Sequence, residues 1–502
     1  MTASTSASPL AAAAAGLLGQ ASTSRTSLAF VPPESPEALT QSDKRMSVNP
    51  RTLTLGLVLL LATALRIAYL LDVWASPLFL MNALRGLDMG TYYQYALTFA
   101  SGQLPDGATP FFQAPGYPLV LALFMRLGAG SIASLTAVQV VLGVVACVLL
   151  YELGCHLFSP GVGLVAAALY AVYPIAWYYG GLLLSENLLV VLLLAAALVA
   201  GHALDRPNML SWLALGLICG LATLTRPNAA IVLPVLIALA CVRPRRNVPV
   251  IPIASACVAC GVLLLPAIVF NSFAVGSLQF VSTQGSHLWL SGNTAYASGI
   301  YQLPSGPALS PVSAQFWVLD ARKFTLFFSN QEFGNNTFVG VFRDHLGPLI
   351  NIPFGLGPLA GLGLVGLVVP PQNVRRWLPF ALVLGLYVAT IVAFSIVGRY
   401  RLPAAALLCL PAAALLVRMP SLLRSHPRRL GLAMSGVAIL MLAANTNLPP
   451  DVSVPFAHAN AAAVFAEAGD QVAADSERLQ AHQARLAAEA RDPHACLQLP
   501  PF

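Results

Sequence analysis

This sequence predicts an all-α integral membrane fold, and two observations are enough to predict it. Of 502 residues, 57% are hydrophobic and only 9% charged, whereas soluble proteins average about 25% charged. The apolar residues also gather into runs of about 20, the length that crosses a hydrocarbon core near 30 Å thick, with Pro, Gly and Arg between them. One helical membrane domain should therefore hold most of the mass. The net charge of +7 raises nucleic acid as a partner, but the basic residues form small loop clusters such as Arg243, Arg245, Arg246 and Arg428, Arg429. That pattern reports membrane topology, not a polynucleotide footprint.

Residues 1–50 are rich in Ala, Ser, Thr and Pro and read as a disordered cytoplasmic tail. The Ala-rich piece at 10–19 lacks a charged leading region, so the run near 53–72 is expected to be a retained first span. Further spans are expected near 134–155, 160–179, 184–203, 210–224, 228–242, 250–270, 351–370, 377–397, 402–418 and 430–445, about eleven in all. With the N-terminus inside, Arg206, Arg243 to Arg246, Arg375 with Arg376, and Arg418 to Arg429 fall on the cytoplasmic side, as short basic loops should. Residues 73–130, residues 271–350 and the tail 446–502 then lie outside. Within residues 51–445, the membrane domain, the first outer loop includes an interfacial helix around PFFQAPGYPLVLALFMRLGAG. In the tail, 459–491 reads as one surface helix without an obvious apolar stripe.

Five cysteines (147, 219, 257, 260 and 409) lie inside apolar runs, so no disulfide framework is implied, and Cys257-x-x-Cys260 reads as helix packing because partner ligands are missing nearby. Gly361-Leu-Gly-Leu-Val-Gly366 has the spacing of a dinucleotide fingerprint but follows no strand; like Gly216 and Gly220, these glycines are read as allowing close helix contact.

The chemistry is expected outside. GLDMGTYYQYA places Asp88 just beyond the first span, and in a helix Asp88, Tyr92, Tyr95 and Phe99 share one face. That face is either an interfacial anchor or a reaction centre. Glu186, in LLLSENLLVV, starts a span at the same depth; Ser185 and Glu186 also fit a plain helix start. Asp106 in LPDGATP is a third carboxylate or a turn residue, the turn being the preferred reading. Three arginines break the positive-inside pattern: Arg226 in LATLTRPN, and Arg399 and Arg401 in VGRYRLP. Charges near a membrane centre cost about 2.5–3.5 kcal/mol on insertion scales, so such residues are kept for a partner. The partner is a lipid phosphate held in the guanidinium fork, or simply the headgroup layer. Two outer carboxylates with outer arginines make a kit for moving a group off a phosphate: a base for the acceptor and cations for the leaving group.

The ordered set of Asp88 to Tyr95, APGYPLVLAL, LLSENL, GLATLTRP, LWLSGNTAYASGIY and GRYRLPA resembles the bacterial glycosyltransferase 39, ArnT-like branch of the GT-C superfamily over roughly residues 53–415. The resemblance implies a polytopic GT-C-type bundle in a bacterial inner membrane, transferring a sugar from a polyprenyl-phosphate donor to an acceptor at the periplasmic face. It implies Asp88 as catalytic acid or base and leaves open whether Glu186 or Asp106 completes the acidic set. The site expected here is Asp88 and Glu186 as catalytic residues, with Tyr92, Tyr95, Arg226, Asn293, Arg399 and Arg401 as substrate contacts. Many relatives carry a second acid where this chain has Met89, and Asn-Pro where it has Asn293-Thr294. No metal-ligating residues are identified, and a divalent cation stays open as a cofactor. The rival expectation is a transporter or lipid-sugar flippase, which should show internal repeats with paired broken helices; none is evident in the sequence.

Overall fold

The computed structural model describes residues 50–106, 109–242, 249–368 and 374–492. The expected N-terminal tail and Arg243, Arg245 and Arg246 lie outside them. The described chain is helical, with two isolated β-bridges. The helices are α1 (Pro50–Ala75), α2 (Asp88–Ala100), α3 (Gly116–Arg126), α4 (Ile132–Leu157), α5 (Pro160–Ala171), α6 (Pro174–Gly180), α7 (Glu186–Asp205), α8 (Met209–Thr225), α9 (Val232–Val242), α10 (Val250–Val275), α11 (Gly285–Gly292), α12 (Ala314–Phe327), α13 (Val339–His345), α14 (Leu356–Val368), α15 (Val374–Val392), α16 (Gly398–Ser425), α17 (Pro427–Asn445), α18 (Ser453–Glu467) and α19 (Gln471–Arg491).

Each expected apolar segment contains a helix among its described residues, though 377–397 leaves the helix after Val392. Seven helices among the described residues are long and apolar enough to cross a membrane, or eight if α5 and α6 count as one bent span; α3, α8, α14 and Pro227–Val242 are shorter. Five starts follow from side chains that satisfy free backbone N–H groups. Ser131 and Ser134 form a capping box at α4, and Ser159, Asn208, Ser313 and Asp470 cap α5, α8, α12 and α19.

The expected single span at 160–179 is instead broken by 58° between α5 and α6. Pro174 has no N–H to donate and disfavours helical geometry at Tyr173. The carbonyls freed at the break are met by side chains of α1 and α6. Buried Arg66 of α1 reaches the oxygens of Tyr170 and Ala171 at 3.3 and 3.4 Å, and the Trp177 indole donates to Ala171 at 2.9 Å.

Glycine sets the tightest helix contacts. A Cβ on Gly366 of α14 would stand 2.0 Å from the Pro411 carbonyl oxygen of α16, and one on Gly216 of α8 would stand 2.2 Å from that of Ala256 in α10. The glycine-spaced stretch of α14 is thus a packing surface.

The C-terminal segment folds as a hairpin, α18 and α19, where one helix was expected. It turns at Gly469 with φ +84°. A stripe exists, but it is built on alanine: Ala474, Ala481 and Ala488 are buried on α19 together with Glu477. α18 rests against the 3-10 turn Pro77–Asn82, which leads into α2. Glu477 accepts from His345 at 2.8 Å and from His458 at 2.7 Å. Burial alone pushes its carboxyl up, but the two imidazoles outweigh that and hold it below its ordinary 4.5. A carboxylate depressed in the folded state stabilises above its unfolded pKa, and that contribution fades as pH falls through the folded value. Glu477→Gln should lower stability by about 1–3 kcal/mol near pH 7. In thermal melts of the detergent-solubilised protein, the gap from wild type should close below about pH 4; an unchanged gap there would show the loss is one of packing.

Candidate functional site

Asp88 opens α2, where free N–H groups favour a negative charge, and Glu186 opens α7 in the same way. Two buried amides hold the segments just before them. Asn82 donates to Gly181 O at 3.2 Å and accepts from Leu183 N at 2.7 Å, tying the turn before Asp88 to the strap before Glu186. Gln139 of α4 reaches Leu182 O, Leu184 O and the Tyr117 hydroxyl at 3.1, 3.0 and 2.7 Å. Met89 is fully buried in the apolar core.

Onto these carboxylates come two arginines from distant parts of the chain. Arg399, at the start of α16, hydrogen-bonds Asp88, whose other oxygen accepts from Gln113. Arg226, at the end of α8, hydrogen-bonds Glu186. The pairs are linked, because Arg399 Nε lies 3.7 Å from Glu186. Both cations lie over the Tyr400 ring, with the Arg226 and Arg399 guanidinium carbons 4.0 and 5.1 Å from its centre. The guanidinium groups tolerate each other because each has a carboxylate and each meets the electron-rich Tyr400 ring. Tyr92 lies edge-on to Tyr117 at 5.2 Å. Burial pushes its phenol well above the ordinary value against the pull of Arg226, so it stays a proton donor at neutral pH.

Beside Arg226 opens a cavity of about 210 Å³, lined by residues that include Tyr92, Asn228, Gln284, Tyr387, Ser395 and Tyr400. Asp88, Tyr92, Glu186, Arg226 and Arg399 thus come together. The others do not join them. Tyr95 packs with Phe99 and Phe111, ring centres 6.3 and 6.0 Å away. Asp106 is exposed, its carbonyl accepting from Thr109 N at 3.0 Å.

Arg401 turns away because VGRYRLP is helical from Gly398, so residues two apart diverge. Its guanidinium is buried against the carbonyls of Phe327, Ser329 and Gln331 and lies 3.2 Å from Glu332. Asn293 is also fully buried. It donates to Ala393 O at 2.9 Å and to Trp289 O at 3.0 Å, and accepts from Lys323 at 2.9 Å. Lys323 also reaches Phe394 O at 3.0 Å and Asp320 at 2.6 Å. Burial pulls its ammonium below the ordinary value, and Asp320 pulls it back. Lys323 and Asn293 therefore fix the 393–397 connector that delivers Arg399 and Tyr400. Sequence reasoning missed Asn82, Gln113, Gln139 and Lys323, which look like ordinary polar residues until distant segments are paired. Among the described residues no three His, Cys, Asp or Glu side chains come together as a metal site would need.

Residues 112–270, about a third of the chain, match the model of the dolichyl-phosphate-mannose-protein mannosyltransferase family. The match includes Glu186 and Arg226 but stops short of Asp88 and Arg399. Over those residues the chain is similar to a family of glycosyltransferases. Among curated proteins, none matches this chain. Solved structures similar to it include ArnT from Cupriavidus metallidurans bound to undecaprenyl phosphate, at 15% identity and TM-score 0.45 over 88% of this chain and 78% of that one. Archaeal oligosaccharyltransferase AglB from Archaeoglobus fulgidus, in complex with an inhibitory peptide and a dolichol-phosphate, matches at 15% identity and TM-score 0.43. There the likeness covers 90% of this chain and 61% of that one.

The two neighbouring arginines should separate by experiment. Arg401→Lys keeps the charge but cannot span three carbonyls, and should lower the melting temperature, with a loss of about 1–3 kcal/mol. Arg399→Lys should leave melting nearly unchanged. An Arg401→Lys protein as stable as wild type would show that this guanidinium is not an anchor.

Proposed function

We propose that this chain transfers a sugar from a polyprenyl-phosphate carrier to an acceptor at the outer, periplasmic face of a bacterial inner membrane, inverting the anomeric carbon. The observation that carries this reading is the linked set Asp88, Arg399, Glu186 and Arg226, of which Arg226 lines a cavity. The family match at 112–270 supports it, and the short basic loops support the orientation.

The set suits a phosphate leaving group on electrostatic grounds. A sugar-phosphate-lipid diester carries one negative charge, and the lipid phosphate released carries close to two. In the proposed step the acceptor heteroatom forms its bond to the anomeric carbon while the bond to phosphate oxygen breaks. Asp88 takes the acceptor proton. Protonation removes the carboxylate charge that Arg399 was matched to at the moment the phosphate gains one. Arg399 then exchanges one anionic partner for another, and total charge is conserved. Glu186 stays ionised and holds Arg226 toward the cavity, so the second guanidinium is positioned before reaction. The carrier phosphate is already an activated leaving group, so no nucleotide is required.

Asp88→Asn keeps shape and most hydrogen bonding but cannot accept the proton, so release of free polyprenyl phosphate from a sugar-linked lipid should fall by about 10²–10⁴. Arg399→Lys loses the two-pronged grip on the developing anion and should fall by about 10²–10³. Near-normal turnover in Asp88→Asn would make GLDMGTYYQYA an interfacial anchor. Orientation has its own check. In a cysteine-free background, cysteines at Gly102 and Ser305 should react with an impermeant thiol reagent from outside, and one at His426 should not; the reverse pattern would invert the site.

A further inference from the structure

Gln113 bonds differently from the buried amides that hold the scaffold. Asn82, Gln139, Asn271 and Asn293 each reach backbone groups and tie segments together. Gln113, only 4% exposed, gives its one side-chain hydrogen bond among the described residues to Asp88. Its own side-chain oxygen is buried without a partner there. Turned over, the amide would press that oxygen against the carboxylate, so the negative charge decides which end faces Asp88. The amide serves the carboxylate and not the backbone.

The segment that carries Gln113 is pinned on both sides. Two residues earlier, Phe111 N donates to the Asn271 side chain of α10 at 2.7 Å, and Phe111 O accepts from Thr283 N at 3.0 Å. Three residues later, a Cβ on Gly116 would stand 2.6 Å from the Leu224 carbonyl carbon, so α3 starts tight against the end of α8. Gln113 is thus fixed before any substrate arrives, as a group that aims another must be.

The two oxygens of Asp88 are divided between donors: Arg399 holds Oδ2 and Gln113 holds Oδ1. In the transfer proposed above, Arg399 passes from Oδ2 to the carrier phosphate and no longer restrains the carboxylate. We propose that Gln113 is the positioning residue of the base, keeping Oδ1 in place while Oδ2 takes the acceptor proton. The inference rests on the glycosyl-transfer reading and adds a residue to it. The acceptor heteroatom gives its proton to Oδ2 as its bond to the anomeric carbon forms and the bond to phosphate oxygen breaks. A neutral amide suits this task. A cation in its place would hold the carboxylate but weaken it as a base, and a second carboxyl would compete for the proton.

The test follows release of free carrier phosphate by the full chain in nanodiscs. The donors are polyprenyl phosphates bearing a neutral hexose, an amino-deoxy pentose or a hexuronate, and the one consumed fastest is used. Gln113→Met keeps the length of the side chain and removes the donor. Turnover should fall about 10–10²-fold, the scale of one hydrogen bond to a charged group, with KM for the donor and the melting temperature near wild type. In an Asp88→Asn background the same change should cost nothing further, because a residue that acts through the base has nothing left to aim. Gln113→Glu puts a second carboxyl against Asp88. Two such groups share a proton to higher pH, so the acidic limb of the pH–rate profile should move up. The other groups around Asp88, namely Arg399, Tyr400, Arg226, Glu186, Tyr92 and Tyr301, are the same in both proteins. Wild-type turnover in Gln113→Met, a loss that multiplies in full with Asp88→Asn, or an unmoved acidic limb in Gln113→Glu would overturn the inference alone. No release from any of the three donors by the wild type would overturn the glycosyl-transfer reading and this inference with it.

Discussion

Everything at the site depends on keeping four charges close together beside a membrane. A lone carboxylate or guanidinium at such a depth is strongly disfavoured, and an ion pair withdrawn from water recovers its desolvation only with good geometry and further hydrogen bonds. Here each charge has such support: Gln113 on Asp88, the Tyr400 ring beside both arginines, and Arg399 bridging toward Glu186. Remove one member and its partner is left uncompensated. The apolar scaffold serves largely to hold these groups in register.

That scaffold works through the ends of helices. Asp88 and Glu186 are first residues of helices, Arg226 closes one and Arg399 opens another. Helix ends carry unsatisfied backbone groups, so buried side chains must settle them. Asn82, Gln139, Lys323 and Asn293 do so, and in doing so fix the distances among the charged residues. Arg66 solves the same problem at the break between α5 and α6. Polar residues inside this apolar chain thus divide into those that complete backbone bonding and those that face one another at the site.

The fold class was legible because transmembrane helices need long apolar runs, and those runs dominate the sequence. The face formed by Asp88, Tyr92, Tyr95 and Phe99 was legible for a similar reason, since helical spacing is local. Local spacing could not reveal which charged residues meet. Arg399 and Arg401 look alike in VGRYRLP, and only the start of α16 at Gly398 sends one to Asp88 and the other to the carbonyls after α12. The hairpin of α18 and α19 was hidden because its stripe is made of alanine, whose small side chain leaves little periodic signal. Lys323 was hidden because a buried ammonium reads as an exposed one until its carbonyl partners are located.

The pair Asp88 and Arg399 is separated by 311 residues, and that separation has a consequence for how the protein is made. A chain emerging during synthesis exposes Asp88 long before α16 exists. Until α16 is inserted, the carboxylate has no guanidinium, the connector held by Lys323 and Asn293 is absent, and the cavity lacks the wall that Ser395 and Tyr400 supply. Closing a loop of this length is among the last entropic steps of assembly. On the proposed function the reactive centre is therefore completed late, and a partly inserted chain would have no means of cleaving the lipid-linked sugars around it.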